Sequence, residues 1–194
     1  SNVRYNYDET STNFNPALSA NNKYAFYRTG QGYGDLNIVS TVGDPEGSTW
    51  SYANGVITTI SGTANVSNTA IQNKLNSGNL SIEANKITFS ANITGTTSNS
   101  LNILAKTHIV NTNATTITTV GGNVLFASNV DDATDGETII NGYTQLRYGI
   151  TINTNEGDIT FGGGNSSGSD YALGSSDEAY TEGIRFDGVI ALNS

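Results

Sequence analysis

The chain has 194 residues, enough for one domain with a real core. Only 13% of residues are charged and the formal charge is −9, so the polar surface rests on Asn, Thr, Ser and Gly, and nucleic acid or anionic membrane, both of which recruit Lys and Arg, are disfavoured partners. Cys and Met are absent: there is no disulfide framework, no thiolate chemistry and no apolar run long enough to insert in a membrane, and the missing Met points to a processed product or an excised piece.

In chain order, residues 1–77 read as irregular, aromatic-rich coils or a packing layer of the same domain. "YAFY" at 24–27, "LNIV" at 36–39 and "GVITTI" at 55–60 are candidate strands. "DPEG" at 44–47 is a turn, with Pro45 presetting a backbone angle and Gly47 closing it. Tyr24, Tyr27, Trp50 and Tyr52 have two readings. They line a ligand surface or an interface with a neighbouring copy, since aromatics bring large area at little entropy cost. Alternatively they fill the irregular N-terminal core or cover a coil end. "VSNTAIQNKLNSG" at 66–78 predicts the one helix: Ser67 caps it, Ile71 and Leu75 share a face, and Gly78 ends it.

From residue 78 a phrase recurs: Gly or Asn, a polar residue, then apolar–any–apolar. It appears in "GNLSIEA", "NSLNILA", "GNVLFAS" and "GDITFGG", with starts 21, 23 and 35 residues apart. The apolar pairs are Leu80 and Ile82, Leu101 and Ile103, Val124 and Phe126, Ile159 and Phe161. A period of two means a strand with one buried face. "TTITTVGGNVLFAS" and "GITINTNEGDITFGG" repeat one strand–corner–strand unit without a gap. Phrases that follow one another in the same sense stack as parallel ladders about 4.8 Å apart. Leu80, Leu101, Val124 and Ile159 then form one internal column, and Ile82, Ile103, Phe126 and Phe161 a second. This is a β-solenoid over residues 78–194, in which no coil can bury its apolar row alone. Insertions are expected at 129–147 and 163–183, where acidic and turn residues break the alternation. "GIRFDGVIALNS" resumes strand character, and a further coil is expected beyond Ser194.

The phrases "TTITTVGGNVLFAS", "ITINTNEGDITFGGG" and "GIRFDGVIALNS" resemble repeats of filamentous-haemagglutinin-type adhesins, large bacterial proteins secreted by the two-partner route. The resemblance covers roughly residues 56–194. It implies an all-β, right-handed parallel β-helix, a cell-surface location and an adhesive or fibre-forming role. It carries no catalytic motif.

The densest carboxylate cluster is "DDATDGE" at 131–137. Asp131 and Asp135 sit at two positions of a calcium loop, and Asp132 or Glu137 would complete a surface Ca²⁺ site. Against this, Ala133 and Gly142 stand where oxygen ligands belong, and the other reading is a solvated turn. Paired carboxylates can also hydrolyse a glycosidic bond, but few basic groups lie near to stabilise developing negative charge. A lone His108 without Cys speaks against zinc; it reads as a corner residue.

The expectation is a non-enzymatic adhesin shaft segment. Its partners would be further coils of the same polyprotein, neighbouring copies, or a host-cell receptor or glycan. Alternatives are a filament subunit that polymerises end to end and a polysaccharide-degrading β-helix enzyme.

Overall fold

The structure, a computed structural model, describes residues 34–128, 142–163 and 183–194. Its elements are mostly strands, with one short helix. The first is β1 (Leu36–Val39), whose Leu36 and Ile38 are buried and whose alternate residues are not. β2 (Trp50–Ala53) and β3 (Val56–Thr59) form an antiparallel hairpin. Its two-residue turn is Asn54–Gly55, with φ of 52° and 81°; these left-handed angles match the twist of the paired strands and suit Asn and Gly. β4 (Ala64–Ser67) leads directly into α1 (Asn68–Ser77).

The Ser67 hydroxyl accepts a hydrogen bond from the Ala70 N–H at 3.1 Å, satisfying one free donor of the first helical turn. Ile71 and Leu75, one turn apart, bury one stripe of the helix. The turn before β2 is shifted by one residue from expectation. Ser48 N–H bonds the Pro45 carbonyl at 3.2 Å, which makes Gly47 the third residue, with φ of 89°.

A cycle of three strands then runs four times. Its members are β5 (Leu80–Ala84), β6 (Ile87–Phe89) and β7 (Ile93–Thr94); β8 (Leu101–Ala105), β9 (His108–Asn111) and β10 (Thr115–Thr118); β11 (Val124–Ser128), β12 (Tyr143–Leu146) and β13 (Ile150–Asn153); and β14 (Ile159–Gly163), β15 (Ile184–Phe186) and β16 (Ile190–Asn193). Each member of a cycle joins a different sheet. One sheet runs β14-β11-β8-β5-β3-β2, a second β15-β12-β9-β6-β1-β4, and a third β16-β13-β10-β7. All pairings between cycles are parallel, so the hairpin makes the first sheet mixed.

Leu80, Leu101, Val124 and Ile159 are successive partners in the first sheet, and so are Ile82, Ile103, Phe126 and Phe161. The first three of each set are 0% exposed; Ile159 and Phe161, on the last strand, are half-buried. Ile87, Ile109, Thr144 and Ile184 align in the second sheet, and Ile93, Ile117, Ile152 and Leu192 in the third. One continuous core lies between the three sheets. Each fully buried aliphatic or aromatic side chain contributes about 1.5–3 kcal/mol relative to exposure.

Two boundaries differ from expectation. Residues 143–146, assigned to the first insertion, are strand β12, paired to β9 and β15. Thr144 points inward at 0% exposure, and its hydroxyl donates to Ser128 Oγ at 2.9 Å. That polar inward residue interrupts the apolar rhythm while leaving no unsatisfied hydroxyl. Before residue 78, β1, β3 and β4 belong to the same two sheets as the later strands. Residues 129–141 and 164–182 of the two expected insertions lie outside the described residues.

Candidate functional site

The repeated corner is a hydrogen-bonded unit. Thr119 and Thr154 are both 0% exposed, and their hydroxyls donate to the carbonyls of Gly122 and Gly157, three residues on. Gly121 has φ of 84° in the first corner and Glu156 has φ of 85° in the second. The glycines are required by contact between cycles. A Cβ on Gly122 would collide with the Asn99 carbonyl, and one on Gly157 with the Gly122 carbonyl.

A polar ladder runs beside these corners. Asn79 Oδ1 accepts from the Ser100 N–H at 2.9 Å, Ser100 Oγ from the Asn123 N–H at 3.1 Å, and Asn123 Oδ1 from the Asp158 N–H at 2.8 Å. Each of these residues immediately precedes an inward-facing strand residue. The short polar side chains thus satisfy corner amides that the sheets leave over. They also link each cycle to the next.

Asp131, Asp132, Asp135 and Glu137, the expected calcium ligands, lie outside the described residues, as do Tyr24 and Tyr27. Trp50 is 3% exposed, part of the core, and its indole N–H donates to the Asp44 carbonyl at 2.8 Å. This leaves it no face for a ligand ring. Tyr52 is half-buried against the core, and the Lys74 ammonium lies 4.1 Å from its ring centroid. The same ammonium meets Glu46 at 3.0 Å.

His108 opens β9 and stacks on Tyr143, its register partner in β12, with ring centroids 4.2 Å apart. Burial, and then the nearby Lys86 charge, lowers its pKa; its Nδ1 is buried without a hydrogen-bond partner. Arg185 Nε bonds Asp187 Oδ1 at 2.7 Å, and Gln145 donates to the other carboxylate oxygen at 2.8 Å, which together lower the Asp187 pKa.

Among the described residues, no three His, Cys, Asp or Glu side chains come together as a metal-binding group, and no helix is long and apolar enough to cross a membrane. What the described residues do present is an unequal pair of ends. At the N-terminal end, α1 covers the edge of β7: Gln72 Oε1 accepts the Thr94 N–H at 2.9 Å and Asn76 Oδ1 the Thr96 N–H at 2.7 Å. Asp44 closes the edge of β4. Its carboxylate accepts the Asn65 N–H at 2.7 Å, and its own N–H bonds the Asn65 carbonyl at 2.6 Å. Exposed strand edges are templates for association, and these are blocked. Among the described residues, β14, β15 and β16 each stand last in their sheet on the other side.

Sequence reasoning missed this edge closure. Its signal is the placement of Gln72 and Asn76 one turn apart on the polar face of α1. It also missed a second buried cluster, Leu104, Leu125 and Ala127, which stands apart from the main core. The signal there is the unbroken apolar run "VLFA", where alternation would place polar residues outward.

No family model, curated protein or solved structure matches the chain.

Proposed function

We propose that the chain is a structural and adhesive segment of a secreted bacterial surface fibre or adhesin shaft, folded as a right-handed parallel β-helix. One observation carries this reading: the inward columns stay in register through four cycles although the sequence spacing between them rises from 21 to 35 residues. Such a stack supports a stiff spacer, because every cycle bonds to the next and added residues can leave between strands without disturbing the columns. The stretches between β11 and β12 and between β14 and β15 would supply the contacts to a receptor or glycan.

The test is adhesion. Beads coated with the purified chain are applied to eukaryotic cell layers and to immobilised glycans. Replacing residues 164–182 by a short Gly/Ser linker is expected to remove binding while leaving circular dichroism and melting unchanged. Failure of the intact chain to bind any surface contradicts the adhesive role. Undiminished binding by the linker variant moves it from this stretch to the rest of the molecule.

A further inference from the structure

The outer side of the third sheet is a two-dimensional array of threonine and asparagine. Register places Thr94, Thr118 and Asn153 in one column across β7, β10 and β13, and Thr116 beside Thr151 in a second. Neighbours within a column are about 4.8 Å apart, and the two columns, two residues apart along a strand, are separated by about 6.6 Å. Thr94 is exposed, and Thr116, Thr118, Thr151 and Asn153 are half-exposed. Their inward neighbours Ile93, Ile117 and Ile152 are 0% exposed, which fixes the side on which the array lies. The array keeps its register although unequal lengths of chain separate its strands. The breaks in the described residues fall between strands of the first and second sheets, not beside a strand of the third.

The threonines of this region divide by side. The inward ones are committed within the protein: the Thr115 hydroxyl donates to the Asn113 carbonyl at 3.0 Å, and Thr119 and Thr154 close the corners. The outward hydroxyls of Thr94, Thr116, Thr118 and Thr151 have no hydrogen-bond partner among the described residues. No strand of the third sheet contains a charged or aromatic residue. The first sheet, by contrast, carries Glu83 and the second Arg185. On a chain of charge −9, the array is thus an uncharged face, suited to an uncharged occupant.

We infer that this face binds ice. A hydroxyl without a protein partner holds a water molecule, and side chains that repeat hold their waters at repeating positions. Threonine is suited to this, because branching at Cβ restricts its rotamers and so fixes both the hydroxyl and the methyl beside it. Oxygen atoms on the crystal faces of ice also repeat along two directions, at distances comparable with those of the array. Waters held here can therefore join the lattice. A charged side chain would instead keep a hydration shell of its own geometry. A sugar polymer fits less well, because these strands offer no aromatic ring to stack on a sugar. The inference needs the register of the third sheet but not the adhesive role.

Partition of the whole chain into slowly growing ice tests it, together with the shape of single crystals grown in its presence. The chain is expected to concentrate in the ice fraction and to give faceted crystals. Thr118→Lys and, separately, Thr151→Lys place a charge within the array and are expected to reduce the ice-bound fraction at least about fivefold. Thr88→Lys makes the same change on the outer side of the second sheet and is expected to leave it unchanged. Unchanged circular dichroism and melting of each variant separate loss of binding from loss of fold. Exclusion of the parent chain from ice, partition retained by both Thr118→Lys and Thr151→Lys, or partition lost equally in Thr88→Lys would each overturn the inference. Binding to insoluble cellulose or chitin that the array variants lose, without partition into ice, would assign the face to a sugar polymer and overturn it too.

Discussion

Phe126 and Phe161 stack with ring centroids 5.0 Å apart and planes 16° apart, on adjacent strands joined by a parallel register. Phe89 approaches Phe126 from the second sheet at 5.9 Å. Phe126 is thus in contact with both and is 0% exposed, whereas Phe161 is half-buried. Phe126→Ala is expected to cost about 3–5 kcal/mol, the transfer term plus a cavity that neighbouring strands cannot close. Phe161→Ala should cost distinctly less. Urea unfolding of both variants checks the order, and equal losses would contradict it.

The corner glycines predict a contrast of a different kind. Gly122→Ala pushes a methyl into the Asn99 backbone, and relief requires two cycles to separate. A loss of about 1–3 kcal/mol or more is expected. Gly78, at the end of α1, has extended backbone and nothing within 4 Å of an added Cβ. Gly78→Ala should stay within about 0.5 kcal/mol of the parent. Thermal melts of the two variants decide the point.

Stability should fall in two acid steps. Burial lowers the His108 pKa below its ordinary 6.5, with the Lys86 charge acting in the same direction. The neutral ring therefore stabilises the fold above pH 6.5, and that contribution is lost as pH falls through the depressed folded value. The Asn65 N–H, then the Thr49 hydroxyl, lowers the Asp44 pKa below its ordinary 3.8. Its contribution is present above 3.8 and disappears as pH falls through the lower folded value. His108→Phe should flatten the first step and Asp44→Ala the second, read from denaturation midpoints across pH.

Removing the helix's hold on β7 tests the closed end. Gln72→Ala with Asn76→Ala frees the Thr94 and Thr96 amides. Loss of about 1 kcal/mol per hydrogen bond is expected, read from urea unfolding. A double variant that keeps the parent's stability would show that these contacts do not hold the edge.

Much of this was legible because the inward strand residues obey a simple period. Leu80 to Phe161 could be paired from the sequence, since each phrase begins at a Gly or Asn corner and its apolar residues are two apart. Ser67, Ile71 and Leu75 likewise announced α1 through a cap and a helical stripe. The missed strand β12 has Thr144 at an inward position, and its hydroxyl is satisfied by Ser128, a partner on another strand. No local pattern reports such a contact. The position of β1 between β6 and β4 was equally hidden, because strand order is a property of packing rather than of composition. Of the two readings of Trp50, its burial matches the filling of the N-terminal core; the Asp44 carbonyl that takes its indole N–H is a partner that spacing alone does not reveal.

The in-register stack is tested most directly by nuclear Overhauser contacts among the side chains of Ile82, Ile103, Phe126 and Phe161. The predicted result is contact between neighbours in that order, with cross-strand backbone contacts of the parallel type. Antiparallel backbone contacts between these strands, or a Phe126 ring that exchanges freely with solvent probes, would contradict it.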